Sequence, residues 1–292
     1  MKRNISVLLI LALGAACIGC GSKEGSSVAG STASGSAVEG SSEAGSAAEE
    51  SSAAGSTAEG SVAGNTEGSD AEAASAQDVM TYEEYMAADL DSQVTVETYV
   101  QAKQSWWEDK ATVYSQDENG AYFLYNMACS QEDYEKLTPG TKIRVNGYKS
   151  EWSGEIEITD AVFEIIDGNF IAEAKDVTEY LGKDELNDFQ NQFVSFKGLT
   201  VEAAGKDDEG QDVAFLYNWD GSGQDGDDLY FNVSNESGDT FTFTVESYLC
   251  DNTTDVYAAV KELKIGDKID LEGFMYWYEG PNPHITSVTP AE

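Results

Sequence analysis

Apolar and polar side chains alternate with period two through several stretches of the chain. Examples are AYFLYNMAC ending at Cys129, EIEITDAVFEI after Gly154, and TFTFTVESYLC ending at Cys250. Successive side chains of a strand point to opposite faces, so this pattern predicts strands with one buried face. It places strands over 94–100, 111–116, 122–127, 142–152 and 155–165, and again over 193–203, 229–234, 240–249, 268–278 and 284–289. Helical spacing interrupts each set at the same place. After Cys129, SQEDYEKL offers Ser130 as a cap with Asp133 three residues on. After Cys250, the residues Val256, Tyr257, Val260 and Leu263 fall on one helical face. A further short helix precedes each set. TYEE at 81–84 is a capping box introducing Tyr85, Met86 and Leu90, and 177–189 forms the second, with Gly182 as a breaking point.

The two sets are copies of one unit. GYKSEWSG at 147–154 and GFMYWYEG at 273–280 share a pattern of glycines and aromatic residues. In the first copy Leu137 is followed by Gly140, Gly147 and Gly154; in the second, Leu263 is followed by Gly266, Gly273 and Gly280. The matched spacing reads as an internal duplication in which both phrases form the same hairpin. Each copy runs strand, strand, strand, helix, strand, strand, the order of the OB-fold. The predicted fold class is therefore all-β with short helices: two tandem OB-fold-like five-stranded barrels over 79–170 and 171–292. A β-sandwich is the alternative.

The N-terminus changes the picture by adding an address. Lys2 and Arg3 precede an apolar run too short for a permanent membrane span, which reads as a signal peptide over 1–20. ACIGCGS resembles the lipobox of bacterial lipoproteins, which implies lipidation of Cys20, with Cys17 as the alternative. Residues 21–78 are almost wholly Gly, Ser, Ala, Thr and Glu, too poor in apolar surface to offset ordering entropy, and are expected to be a disordered stalk. The stretches YVQAKQSWW, YFLYNMAC, YLCDN and MYWYEGPNPHIT resemble tandem OB-fold lipoproteins of Gram-positive bacteria. That resemblance implies a fold and an extracytoplasmic, lipid-anchored location, with membrane contact only through the anchor. It implies no activity.

Charge narrows the partners. The chain carries a formal net charge of −38, and most of its acidic residues lie beyond residue 80. Such a surface repels phosphate backbones, so nucleic acid is expected to be a disfavoured partner. A glycan or cell-wall polymer, or a basic protein partner, is expected instead.

OB-folds bind ligands across strands two and three, between flanking loops. On that plan Trp106, Trp107, Tyr148 and Trp152 of the first copy, and Trp219, Tyr276, Trp277 and Tyr278 of the second, are candidate ligand-binding residues. The second rim, with Met275 and Trp277, is the more apolar, which favours the second barrel if only one binds. Plugging of the barrel ends is the structural alternative for these rings. Asp220, Asp225, Asp227 and Asp228 in NWDGSGQDGDDLY offer hard oxygen ligands and loosely resemble a calcium loop, a solvated acidic turn being the other reading. His284 is the sole histidine, and it stands with no nucleophile–base constellation, so no catalytic residue is assigned. Cys129 and Cys250 occupy equivalent places, consistent with equivalent burial or with one inter-domain bridge. The functional expectation is a non-catalytic binding module for glycan or wall material. A cell-surface protein-interaction scaffold is the alternative, and a carboxylate-dependent hydrolase a third reading.

Overall fold

The computed structural model describes residues 78–291. The signal peptide, Cys20 and all but the end of the expected stalk lie outside the described residues.

The first copy opens with α1 (Tyr82–Ala87), whose N-cap Thr81 accepts the amide of Glu84 while the Glu84 side chain reaches back to the cap backbone. This capping box leaves Tyr85, one of the largest fully buried side chains, to pack into the first core. Then follow β1 (Gln93–Lys103), β2 (Lys110–Gln116), β3 (Ala121–Ala128), α2 (Gln131–Lys136), β4 (Thr141–Trp152) and β5 (Glu155–Asn169). They close in the order β1-β2-β3-β5-β4, with β3 and β5 running parallel and all other neighbours antiparallel.

The second copy carries β6 (Lys175–Asp176), two 3-10 turns at Thr178–Tyr180 and Asp184–Phe189, and β7 (Phe193–Glu202). An insertion supplies β8 (Gly205–Lys206), β9 (Asp212–Val213) and β10 (Phe215–Tyr217). β11 (Leu229–Ser234), β12 (Thr240–Val245), α3 (Asp255–Glu262), β13 (Lys268–Phe274) and β14 (His284–Pro290) complete it. Because β11 also pairs with β7, the strands β7, β11, β12, β14 and β13 close into a second ring, again with one parallel pair, β12 and β14. Both rings are five-stranded OB-like barrels, each around its own core.

Three elements depart from the sequence pattern. The helix expected over 177–189 is two 3-10 turns separated at Gly182, whose φ is +80°. The strand expected over 240–249 ends at Val245, where Glu246 begins a turn accepting the amides of Tyr248 and Leu249. The strand expected over 268–278 ends at Phe274. In the first copy Ser153 and Gly154, both at positive φ, make a two-residue turn that keeps β4 and β5 paired out to Trp152 and Glu155. In the second copy Pro281 and Pro283 lack the N–H a ladder needs, and 275–283 forms a wide loop held by one bridge between Trp277 and Pro281. The repeated phrase is thus a tight hairpin once and an open loop once.

The repeated glycines before these turns have one cause. A Cβ at Gly147 would stand 2.7 Å from Ile158 Cγ2 and 2.8 Å from the Thr159 carbonyl; one at Gly273 would stand 2.2 Å from the His284 carbonyl. Each sits at a bulge where strand four coils beneath strand five.

The barrels pack together through a third apolar cluster. Tyr114 and Phe123 of the first barrel meet Phe274 of the second, with Phe193, Leu249 and Tyr276 against them. Tyr114 and Phe274 stack with centroids 4.6 Å apart. Burying one such ring contributes roughly 1.5–3 kcal/mol. Backbone bonds rivet the edges: Ser105 donates its amide to the Tyr248 carbonyl at 2.7 Å, and Glu279 donates to Ser153 at 2.7 Å.

A candidate aromatic binding groove between the barrels

This junction leaves a groove of about 1090 Å³. Its first wall is the outer face of β2 and β3, with Lys110, Thr112, Phe123, Tyr125 and Asn126, continued by Gln104, Ser105 and Trp107 after β1. Trp152 reaches in from the β4–β5 turn. The facing wall belongs to the second barrel: Asp228, Tyr230, Glu246, Tyr248, Tyr276, Tyr278, Glu279, Asn282 and His284, with Trp219 from the insertion.

The floor is pre-set by ring contacts. His284 is buried, and its Nδ1 lies 2.6 Å from the Tyr114 hydroxyl. Burial pushes the imidazole down to about 3 and the Tyr114 phenol well above its ordinary value. Both groups are therefore neutral at physiological pH and are joined by one hydrogen bond. Tyr276 stacks on the His284 ring at 4.3 Å and meets Phe123 edge-on at 5.3 Å. Trp152 and Tyr278 lie 5.1 Å apart across the junction, one ring from each barrel. The outer rings remain accessible: Trp107 is 69%, Trp219 76% and Tyr248 64% exposed.

Polar groups sit among the rings. Glu246 accepts Gln104 Nε2 at 3.1 Å from the other barrel, and desolvation together with the neighbouring Asp228 pushes its carboxyl up to about 7. Asp228 accepts the amide and the hydroxyl of Ser247 at 2.8 and 2.7 Å. Asn282 accepts the Thr244 hydroxyl at 2.7 Å.

Of the residues singled out by sequence, Trp107, Trp152, Trp219, Tyr276 and Tyr278 line this groove, and three do not. Trp106 is half-buried and spends its indole N–H on the Cys129 carbonyl at 2.9 Å. Trp277 turns onto the second barrel's core, as a plugging ring does. Tyr148 is exposed on β4, away from the groove. The walls of the groove come from both barrels. Sequence reasoning passed over Phe123, Tyr125, Tyr230 and Tyr248. Their outward positions on strands and turns were readable from the alternation, but which outward face would be covered by another barrel was not.

The four aspartates of the insertion are not brought together. Asp220 caps Ser222, Asp225 pairs with Lys261 and Asn252, Asp227 accepts the Gln224 amide, and Asp228 faces Ser247. Among the described residues no group of three or more His, Cys, Asp or Glu side chains is arranged to hold a metal ion. Cys129 and Cys250 are both buried and free, so no bridge joins the barrels through them. Burial pushes the Cys129 thiol up to about 11 and the Cys250 thiol up to about 12.

No family model and no curated protein matches the chain. Among solved structures it is similar to a murine DNA-binding protein bound with double-stranded DNA, at 11% identity over 68% of this chain and 96% of that one, with a TM-score of 0.33. It is similar to the p204 HINb domain at 12% identity over 70% and 99%, with a TM-score of 0.33. It is also similar to a deletion mutant of the single-stranded DNA-binding protein from Thermus aquaticus, at 12% identity over 68% and 94%, with a TM-score of 0.22. The expectation that nucleic acid is a disfavoured partner does not stand beside structures of DNA-binding proteins and is corrected. It rested on net charge and on the carboxylates beside the candidate rings, Glu108, Asp109, Glu151 and Glu279, whereas base stacking is a separate contribution made by exposed rings.

Proposed function

We propose that this protein is a non-catalytic binding module that takes a ring-bearing ligand, an oligosaccharide in the first instance, in the groove between its barrels. The observation that carries the reading is the convergence of aromatic rings from both barrels on one open groove. Exposed rings of this size gain little from water and gain contact area from a flat ligand face. Glu246, Asp228 and Asn282 supply acceptors for hydroxyl or amine hydrogens of such a ligand. The non-catalytic reading is supported by His284, which is buried with its Nδ1 hydrogen-bonded to Tyr114. A lipid on Cys20 would hold the module at the outer face of a membrane. Cys20→Ser is expected to release it into the soluble fraction, and retention in the membrane overturns the anchor.

Titration with neutral wall-type oligosaccharides, and in parallel with single-stranded oligonucleotides, tests the groove by tryptophan fluorescence and calorimetry. Bases present the same kind of face as sugars, so the second arm decides the class. Trp152→Ala and Tyr278→Ala are each expected to lower affinity roughly tenfold, about the worth of one stacking contact, with circular dichroism unchanged. Binding confined to oligonucleotides replaces the oligosaccharide while keeping the groove. Silence in both arms, or binding that neither truncation weakens, rejects the groove as a ring site.

A further inference from the structure

One buried carboxyl at the junction serves neither the groove nor an ion pair. Glu155, the first residue of β5, is fully buried, and no salt bridge among the described residues includes it. Its Oε2 accepts the Trp277 amide of the second barrel at 2.9 Å. Its Oε1 has no partner, and neither does Asn191 Oδ1, also buried. Asn191 is a hydrogen-bonding neighbour of this carboxyl, and that contact, like the Trp277 amide, favours the charged form against the larger effect of burial. The amide cannot be turned to cure this at no cost. Asn191 Nδ2 already donates to the Ile156 carbonyl at 3.0 Å, and reversing it would set oxygen against oxygen there.

Two buried acceptors without partners, on neighbouring side chains, can share a single hydrogen. We propose that Glu155 stands protonated at the junction and donates from Oε1 to Asn191 Oδ1, so that one proton latches the two barrels and its loss loosens them. Asn191 is well placed as the receiving half. Its amide donates to the Met275 carbonyl at 2.8 Å, and Met275 returns a bond to Gln192 at 3.0 Å, fixing 190–192 against the loop after β13. Gln190 adds a bond to the Gly154 carbonyl at 2.8 Å. The latch therefore lies beside the turn that carries Trp152 and the loop that carries Tyr278.

The titratable surroundings favour the neutral form. Glu157 on the same strand, itself raised by burial, adds like charge. The groups facing from α1, β2 and the loop after β13 are Tyr85, Tyr114 and Tyr276, all pushed upward and so uncharged. Lys149 of β4 stands over the Tyr85 ring, but its ammonium is taken by the carbonyls of Tyr85, Met86 and Ala88. Desolvation pushes the Glu155 carboxyl up to about 8. A group raised in the folded state holds its stabilisation fully below its unfolded value and loses it as pH rises toward the folded one. The window of loss thus opens near the ordinary glutamate value of 4.5 and closes at about 8.

The test compares the full chain with Glu155→Gln and Glu155→Ala by thermal unfolding from about pH 5 to about pH 9, where one linked proton moves the unfolding equilibrium by up to about tenfold per pH unit. Hydrogen exchange over 151–157 and 275–280, corrected for intrinsic rate, reports the junction itself. Glutamine keeps the acceptor for Trp277 and supplies a permanent N–H to Asn191. It is expected to match the natural protein at acid pH and to retain protection at alkaline pH that the natural protein loses. Glu155→Ala is expected to exchange fast at every pH; should it not fold, the glutamine comparison alone decides. Glu155→Gln tracking the natural protein at every pH, or proving as weak as alanine at acid pH, overturns the latch. Coupling of the latch to ligand affinity rests on the function proposed above; the latch does not, and its readouts contain no ligand.

Discussion

At the scale of single residues, burial decides charge state, and charge state decides what a side chain can do. His284 is the sole histidine of the chain, and the sequence offers it no nucleophile or base partner. Buried against Tyr114 and Tyr276, it becomes a hydrogen-bonded brace for the groove floor. A histidine whose folded value is depressed stabilises the fold above its unfolded value of 6.5 and loses that contribution as pH falls toward about 3. His284→Gln is therefore expected to lower stability near neutrality and to flatten the acid side of the melting-temperature profile. An acid limb as steep as in the natural protein would place that loss elsewhere. The cysteines follow the same logic, since thiols raised by burial are poor thiolates and behave as small apolar fillers.

At the scale of elements, the shared glycine spacing has a steric origin that predicts an order of damage. Gly273→Ala drives a methyl into the His284 backbone at 2.2 Å, whereas Gly147→Ala meets the tip of Ile158 and the Thr159 carbonyl at 2.7 and 2.8 Å. Overpacking of this kind costs roughly 1–3 kcal/mol, and more where backbone must move. Denaturant midpoints are expected to fall for both, further for Gly273→Ala. Equal midpoints would show that strand five yields freely at both sites. The elements also show where period-two reading fails. Alternation continues to Tyr278 in sequence, but a ladder needs N–H donors on the partner strand, and Pro281 and Pro283 remove them. The same prolines open the loop that delivers Tyr276 and Tyr278 to the groove.

At the scale of the whole molecule, the junction is expected to make two barrels behave as one. Tyr114, Phe123 and Phe274 form a core that belongs to neither barrel alone. Calorimetry of the natural protein is expected to show one transition. Phe274→Ala removes roughly 3–5 kcal/mol of buried packing and is expected to lower that transition and split it in two. A single unsplit transition in the variant would mean that the polar rivets suffice to couple the barrels.

The sequence by itself determined the barrels. Alternation, capping residues and glycine spacing act over a few residues or a single strand pair, so the tandem OB-like architecture, the strand order and the exposed aromatic character could be read from it. It could not choose among the aromatic rings. Trp106, Trp277 and Tyr148 obey the same local pattern as Trp107, Trp152 and Tyr278, and only the tertiary structure sends the first group to a carbonyl, a core or open solvent and, by docking one barrel on the other, the second into a groove. The neutral state of Glu155 is likewise tertiary, because it is set by removal from water at a junction between residues 155, 191 and 277. Local pattern fixes which face a side chain points to. Only the full fold fixes what, if anything, covers that face.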